Sequence, residues 1–140
     1  MYTIMMNDDK SLSKTVVKTL FQGEKLVDKF RFLIPKNYND LELSDFTTTL
    51  KYIDQGNTAH SEKLFLYDSS YKDCMLCFYL PIDSELTKFA GDIKIHLVLN
   101  KGNQHILHTG ETTITIAPIS PCYQHNDSSN GDDGFEVVEF

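Results

Sequence analysis

Tryptophan is absent from these 140 residues, and cysteine and proline are scarce at three and four. Without indole rings, the usual flat platform for stacking on sugars loses its strongest element. Cys74, Cys77 and Cys122 are odd in number and too few for a disulfide framework, which points to a reducing compartment. No apolar run approaches the roughly 18–20 residues needed to cross a bilayer. The opening MYTIMMNDDK lacks a positively charged start followed by an apolar stretch, so a secretory leader is not expected and neither is a membrane partner. The chain is expected to stay in the cytoplasm where it is made until it is assembled or released. Clustered bases are missing as well: 13 Lys and Arg are scattered among 20 Asp and Glu, for a net charge of −7. Phosphate contacts need clustered cations, so nucleic acid is not an expected partner.

What is present is one domain's worth of apolar residues, 41% of the chain, enough for a single core without metal or disulfide support. The acids are unevenly placed. Asp127, Asp132, Asp133, Glu136 and Glu139 fall in the last stretch, NDSSNGDDGFEVVEF from Asn126, where no base accompanies them. The rest of the chain is close to neutral. A polar segment of this kind buries too little to offset its ordering entropy, so residues 123–134 are expected to be a flexible acidic linker. Residues 135–140 differ: Phe135, Val137, Val138 and Phe140 form a short strand-prone, apolar peptide that would be an aggregation hazard unprotected. It reads as a binding peptide that adds a strand to a sheet edge on a neighbouring copy or another protein, with Asp132 and Asp133 steering it towards a basic surface. The competing reading is return to an edge of its own domain.

Along residues 1–122, period-two alternation recurs and no segment sustains helical spacing, so the domain is expected to be all-β. Leu26 to Ile34 reads as a strand with Phe30, Phe32 and Ile34 on one face and Lys29 and Arg31 on the other, paired elsewhere than with the next segment. Asn37 to Asp45 reads as a loop. Phe46, Thr48, Leu50 and Tyr52 form one face of a strand leading through the turn Asp54-Gln55-Gly56-Asn57, with Gly56 supplying the positive φ, into a second arm over Thr58 to Leu66. Leu76, Phe78 and Leu80 face inward on a strand halted at Pro81. Ile82 to Ala90 is a crossover with room for one helical turn, and Ile93, Ile95, Leu97 and Leu99 form a core strand. Lys101-Gly102-Asn103 is a hairpin turn, and His105 to Thr109 with Thr112 to Ile116 reads as one long strand bulged around Gly110. With Tyr2 to Met6 and Thr15 to Phe21 this makes roughly seven or eight short strands with turns about every 8–12 residues, the spacing of a β-sandwich.

Candidate chemical groups mostly dissolve under the strand period. Cys74 and Cys77 have a metal or redox spacing, yet residues three apart on a strand point to opposite faces, and no second pair supplies further ligands. They read as ordinary thiols. The same parity separates His105 from His108, with His96 as a conceivable third ligand; His60 and His125 read as solvated. No metal and no cofactor are expected. Asp83 and Glu85, and Asp40 and Glu42, read as loop caps, not as a glycosidase pair. No nucleophile elbow or phosphate cradle is present, so an enzyme is the weakest reading, and no catalytic residue is assigned. Tyr38, Tyr52, Tyr67, Tyr71, Tyr79 and Tyr123 could line a sugar-binding surface, but tyrosines at strand ends and in a Tyr67–Tyr71 loop fit core edges or subunit contacts better.

Several blocks resemble a known family in order: Phe21-Gln22-Gly23-Glu24, Asp40-Leu41-Glu42-Leu43-Ser44-Asp45-Phe46, Leu50-Lys51-Tyr52, Phe78-Tyr79-Leu80-Pro81, Leu86-Thr87-Lys88-Phe89-Ala90-Gly91-Asp92-Ile93 and Leu107-His108-Thr109-Gly110-Glu111-Thr112-Thr113-Ile114. Together they resemble the immunoglobulin-like N-terminal domain of phage baseplate upper proteins and related small phage virion proteins. The resemblance implies an immunoglobulin-like β-sandwich over residues 1–122 and a non-enzymatic virion subunit. Such a subunit is a connector or a fibre or baseplate-type piece, found in the virion and, during assembly, in the host cytoplasm. It implies other virion proteins and further copies of the chain as partners. Where baseplate upper proteins continue into a coiled coil and distal domains, this sequence carries the acidic tail, which makes a connector or decoration as fitting as a receptor grip. The alternative is a carbohydrate-binding module that holds a particle near a host-surface glycan by multivalent contacts.

Overall fold

Strands with one apolar and one polar face bury the apolar set by stacking sheet on sheet. The computed structural model, which describes residues 1–24 and 29–119, is such a two-sheet β-sandwich. In chain order its strands are β1 (Tyr2–Met6), β2 (Leu12–Val16), β3 (Leu20–Phe21), β4 (Phe30–Pro35), β5 (Asn37–Tyr38), β6 (Leu41–Glu42), β7 (Thr47–Ile53), β8 (Ala59–Lys63), β9 (Phe65–Tyr71), β10 (Met75–Tyr79), β11 (Gly91–Lys101), β12 (His105–His108) and β13 (Thr112–Ala117). The first sheet has the order β2-β1-β4-β10-β9. The second runs β3-β13-β11-β7-β8, with β12 also on β11, and β5 pairs with β6 in a small hairpin.

This connectivity follows the immunoglobulin plan. In that plan the second, fifth and fourth strands (B, E, D) share one sheet and the third, sixth and seventh (C, F, G) share the other. Here β4, β10 and β9 take the first set and β7, β11 and β13 the second, while β8 extends the second sheet beyond β7. Two parallel pairs, β1 with β4 and β3 with β13, are the departures from an all-antiparallel sandwich. The chain between β7 and β10 is a single ribbon that changes sheet. β8 borders the second sheet, Leu64 is buried with its N–H donating to the Thr48 carbonyl at 2.9 Å, and β9 borders the first sheet.

The core lies between the sheets. Ile4, Phe32, Ile34, Leu76 and Phe78 from the first sheet meet Leu50, Ile93, Ile95, Leu97, Leu99, Ile114 and Ile116 from the second, all buried. The expected alternation holds at Phe30, Phe32 and Ile34, at Phe46, Thr48, Leu50 and Tyr52, and along β11. The segment expected as one long strand divides into β12 and β13, which follow one another along β11 with an extra residue at the break. Between the pairings Val98↔His108 and Ile95↔Thr112, three steps along β11 are matched by four along its partner. The extra residue is held in place: the Leu97 N–H donates to Thr109 Oγ1 at 2.9 Å, and the Gly110 N–H to the Lys10 carbonyl at 2.8 Å.

Several local expectations are corrected. In the Asp54–Asn57 turn the positive φ belongs to Asn57 (65°), not to Gly56, since asparagine tolerates that region. The second arm stops at Lys63, because burial of Leu64 carries the chain to the other sheet. Asn37 to Asp45 is no plain loop: it makes the β5–β6 hairpin, turning on Asn39 and Asp40 (φ 47° and 66°), followed by a 3₁₀ turn at Leu43–Asp45. Ile82 to Ala90 forms turns closed by Ser84 N–H to Pro81 O and Lys88 N–H to Glu85 O, with no helix. The segment Thr15 to Phe21 divides into the end of β2 and the short β3. The strand expected over Leu26 to Ile34 is β4, from Phe30, with 25–28 outside the described residues. The acidic linker over 123–134 and the peptide over 135–140 also lie outside them.

Candidate interaction surface

The outer face of the first sheet is built in rows by the strand register. One row crosses all five strands as Val16, Thr3, Arg31, Tyr79 and Phe65; the next contains Met5, Leu33, Cys77 and Asp68; a third has Pro35, Met75 and Tyr71. A solvated face of a sandwich is ordinarily polar. This one is largely apolar and aromatic, with Cys77 only 1% exposed although it points away from the core.

Three cations lie on its rings. The Arg31 guanidinium donates through Nε to Thr3 Oγ1 at 2.9 Å and stands 5.1 Å from the Tyr71 ring centre. Lys29 Nζ is 5.7 Å from the Tyr79 ring, and Lys72 Nζ is 5.7 Å from the other contacted ring, Tyr71. Tyr67 tilts against Tyr79 with centroids 5.0 Å apart. None of the three cations has a carboxylate within ion-pair distance among the described residues, where the two ion pairs are His60–Asp54 and Lys88–Glu85. Burial pushes the Cys77 thiol and the Tyr79 phenol upward, so both stay protonated and neutral near pH 7. A thiol held protonated is not a nucleophile.

The face ends on an open strand edge. β9 is the last strand of its sheet, and Phe65 and Tyr67 on it are 63% and 65% exposed. Its C-terminal part is partly closed by the chain itself, since Asp68 accepts from the Ser70 N–H at 2.9 Å. Its free stretch is therefore Phe65 to Asp68.

At the opposite border of the ribbon the polar groups are mutually satisfied. Glu62 accepts from Tyr52 OH (2.5 Å), Ser84 Oγ (2.6 Å) and the Glu85 N–H (3.0 Å), which fastens the crossover after β10 to the β7–β8 hairpin. Asp54 accepts from the Thr58 N–H and pairs with His60 Nε2, both at 2.8 Å, and the His60 ring stacks on Tyr52 at 4.7 Å. Burial, together with the bond to Glu62, pushes the Tyr52 phenol far up, while the contact with His60 holds the Asp54 carboxyl below its usual value. Ser84 bonds Glu62 and His60 bonds Asp54, so hydroxyl and imidazole belong to separate pairs and the cluster works as a clasp.

The remaining candidates scatter. Cys74 is exposed in the turn before β10, apart from buried Cys77, and both are free thiols. His105 shares the inward row with Leu107 and stacks on Phe46 at 6.2 Å, beside an open groove of about 410 Å³ under the β5–β6 hairpin; His108, of opposite parity and paired with Val98, also borders that groove. Among the described residues no three His, Cys, Asp or Glu side chains are grouped to hold a metal. The acid pairs stay apart in role, with Asp40 in a hairpin turn and Glu85 paired at the surface to Lys88 at 3.3 Å. Tyr52 is core and Tyr67 and Tyr71 belong to β9, not to a loop. His125, Tyr123, Cys122 and the peptide residues Asp132, Asp133, Phe135, Val137, Val138 and Phe140 lie outside the described residues. Sequence reading missed Phe65 as a surface residue; the available signal was three aromatics within Phe65 to Tyr71 in a run with one charge.

No protein-family model matches the chain, and no curated protein matches it in sequence. Among solved structures, it is similar to the N-terminal domain of phage TP901-1 ORF48, at 11% identity and a TM-score of 0.44, over 85% of this chain and 96% of that one. A likeness of that size leaves the sandwich to rest on its own strand order. No helix among the described residues is long and apolar enough to cross a membrane.

Proposed function

We propose that the protein is a non-enzymatic structural subunit of a phage virion, a connector or a fibre or baseplate-type piece that assembles through its sandwich edges and the peptide Phe135–Phe140. The single observation that carries this reading is the open β9 edge, with Phe65 and Tyr67 exposed beside an aromatic face whose cations have no carboxylate within ion-pair distance among the described residues. An edge of this kind offers main-chain groups and apolar side chains to another protein. The ordered blocks that resemble phage baseplate upper proteins support the virion setting. In this reading the strand-prone peptide docks in trans on a neighbouring copy or another virion protein, and copies of the chain form a homo-oligomer.

Quantitative mass spectrometry of purified phage particles, counting this chain against the major capsid protein, tests the role. A fixed ratio is expected; abundance in infected cells with absence from particles overturns it. A second reading rests on the Tyr67–Tyr79 pair, which leaves one ring exposed for stacking on a pyranose. That carbohydrate-binding module would give reproducible hits on a glycan array that disappear in Tyr67→Ser.

A further inference from the structure

We infer that the acceptor for the acidic, apolar peptide is the β9 edge of a second copy, at Phe65 to Asp68, with Lys29, Arg31 and Lys72 receiving its carboxylates. The inference rests on the assembly reading above and specifies the edge and the chemistry of its occupant.

Three features favour β9 over the borders at β8 and β2. β8 carries His60, Glu62 and Lys63 in five residues, and its Glu62 is already saturated by three donors. Charged residues along an edge are the usual protection against strand addition. β2 exposes Val16, but Lys14 crosses from it to the second sheet, donating to the Thr113 carbonyl at 2.8 Å. β9 instead presents Phe65 and Tyr67, with Asp68 as its one charged residue.

Charge complementarity identifies the occupant. In Asp132-Asp133-Gly134-Phe135-Glu136-Val137-Val138-Glu139-Phe140, four acids accompany four apolar residues and no base. Alternation puts Phe135, Val137 and Glu139 on one face of an added strand and Glu136, Val138 and Phe140 on the other. Either face brings apolar groups and a carboxylate to the aromatic face. There, among the described residues, Lys29, Arg31 and Lys72 outnumber Asp68 and Asp73, and Asp68 is turned back onto Ser70. Exposed cations next to an apolar docking row orient an acidic strand and speed its encounter.

Site-specific photocross-linking of the full chain tests this. Phe135→p-benzoylphenylalanine is prepared in ordinary and ¹⁵N-labelled form, mixed in equal amounts, illuminated and mapped by mass spectrometry. Cross-links from one isotopic form onto Phe65–Tyr71 of the other are expected. The double variant Lys29→Glu/Lys72→Glu, both exposed side chains, is expected to lower their yield about tenfold at low salt and less at high salt, with unchanged melting. Intermolecular cross-links to β2 or β12 overturn the choice of edge but leave assembly through the peptide standing. Cross-links confined to single isotopic chains, or none, overturn trans docking itself.

Discussion

β8 and β9 are consecutive halves of one ribbon, joined at Leu64, and they treat the same physical problem in opposite ways. The first half, Ala59 to Lys63, places charged and polar residues along its border and ties them down through Glu62 and His60. The second half, Phe65 to Tyr71, leaves two large rings in water beside cations that lie on aromatic faces. β8 keeps an unbroken register with β7, whereas β9 shifts register twice against β10, so the two borders differ in backbone as well as in side chains. Charged, tied-down side chains are the usual protection of a sheet edge against strand addition, and β9 carries only one charge, Asp68. The outer faces follow suit: Thr49, Lys51, Lys94, Thr113 and Thr115 project from the second sheet, against Arg31, Leu33, Cys77 and Tyr79 from the first.

The largest test of that contrast removes the joint. Leu64 is buried where the ribbon changes sheet, and Leu64→Ala is expected to cost about 2–5 kcal/mol by lost burial and residual cavity, read from urea denaturation. Disturbing the guarded half comes next. Glu62→Ala leaves the Tyr52 hydroxyl, the Ser84 hydroxyl and the Glu85 N–H short of an acceptor, for an expected loss of about 1–3 kcal/mol; a loss near zero would show that water replaces the carboxylate there.

The guarded half should also respond to acid. The Asp54 carboxyl titrates below its ordinary value because of His60 and the Thr58 N–H, so its contribution is present above the unfolded carboxyl range and is lost as pH falls through the lowered folded value. Stability should therefore decline below about pH 4, and Asp54→Asn should flatten that limb of a melting-temperature profile. The smallest effect on folding is predicted at the open edge itself. Phe65→Ser and Tyr67→Lys should change stability by no more than about 0.5 kcal/mol, while sedimentation shows less self-association for both. A melting shift of several degrees would mean that these rings hold the sheet together, and the contrast with β8 would fail.

How much was legible in the sequence differs between core and surface. β11 and β7 declared themselves because period-two burial of Ile93, Ile95, Leu97 and Leu99, and of Thr48, Leu50 and Tyr52, is imposed by the pleat wherever one face is dry. The break at Gly110 was readable from two strand-forming runs that a glycine separates. The hairpin from β9 to β10 was not readable. It turns on Lys72 and Asp73, both at positive φ (48° and 66°), without the glycine that usually marks such a two-residue turn. Tyr67 to Tyr71 accordingly read as a loop, and the open edge went with it.

The sequence by itself determined an all-β chain and the residues that face its core, because alternation of apolar and polar side chains is a local property of the strand. It also determined where acidic charge concentrates. Only the tertiary structure decided that the ribbon switches sheet at Leu64, that Arg31 reaches both Thr3 and Tyr71, and that Glu62 binds a loop more than twenty residues on. Those contacts depend on which strands become neighbours across the sandwich, and neighbourhood is fixed by packing of the whole core.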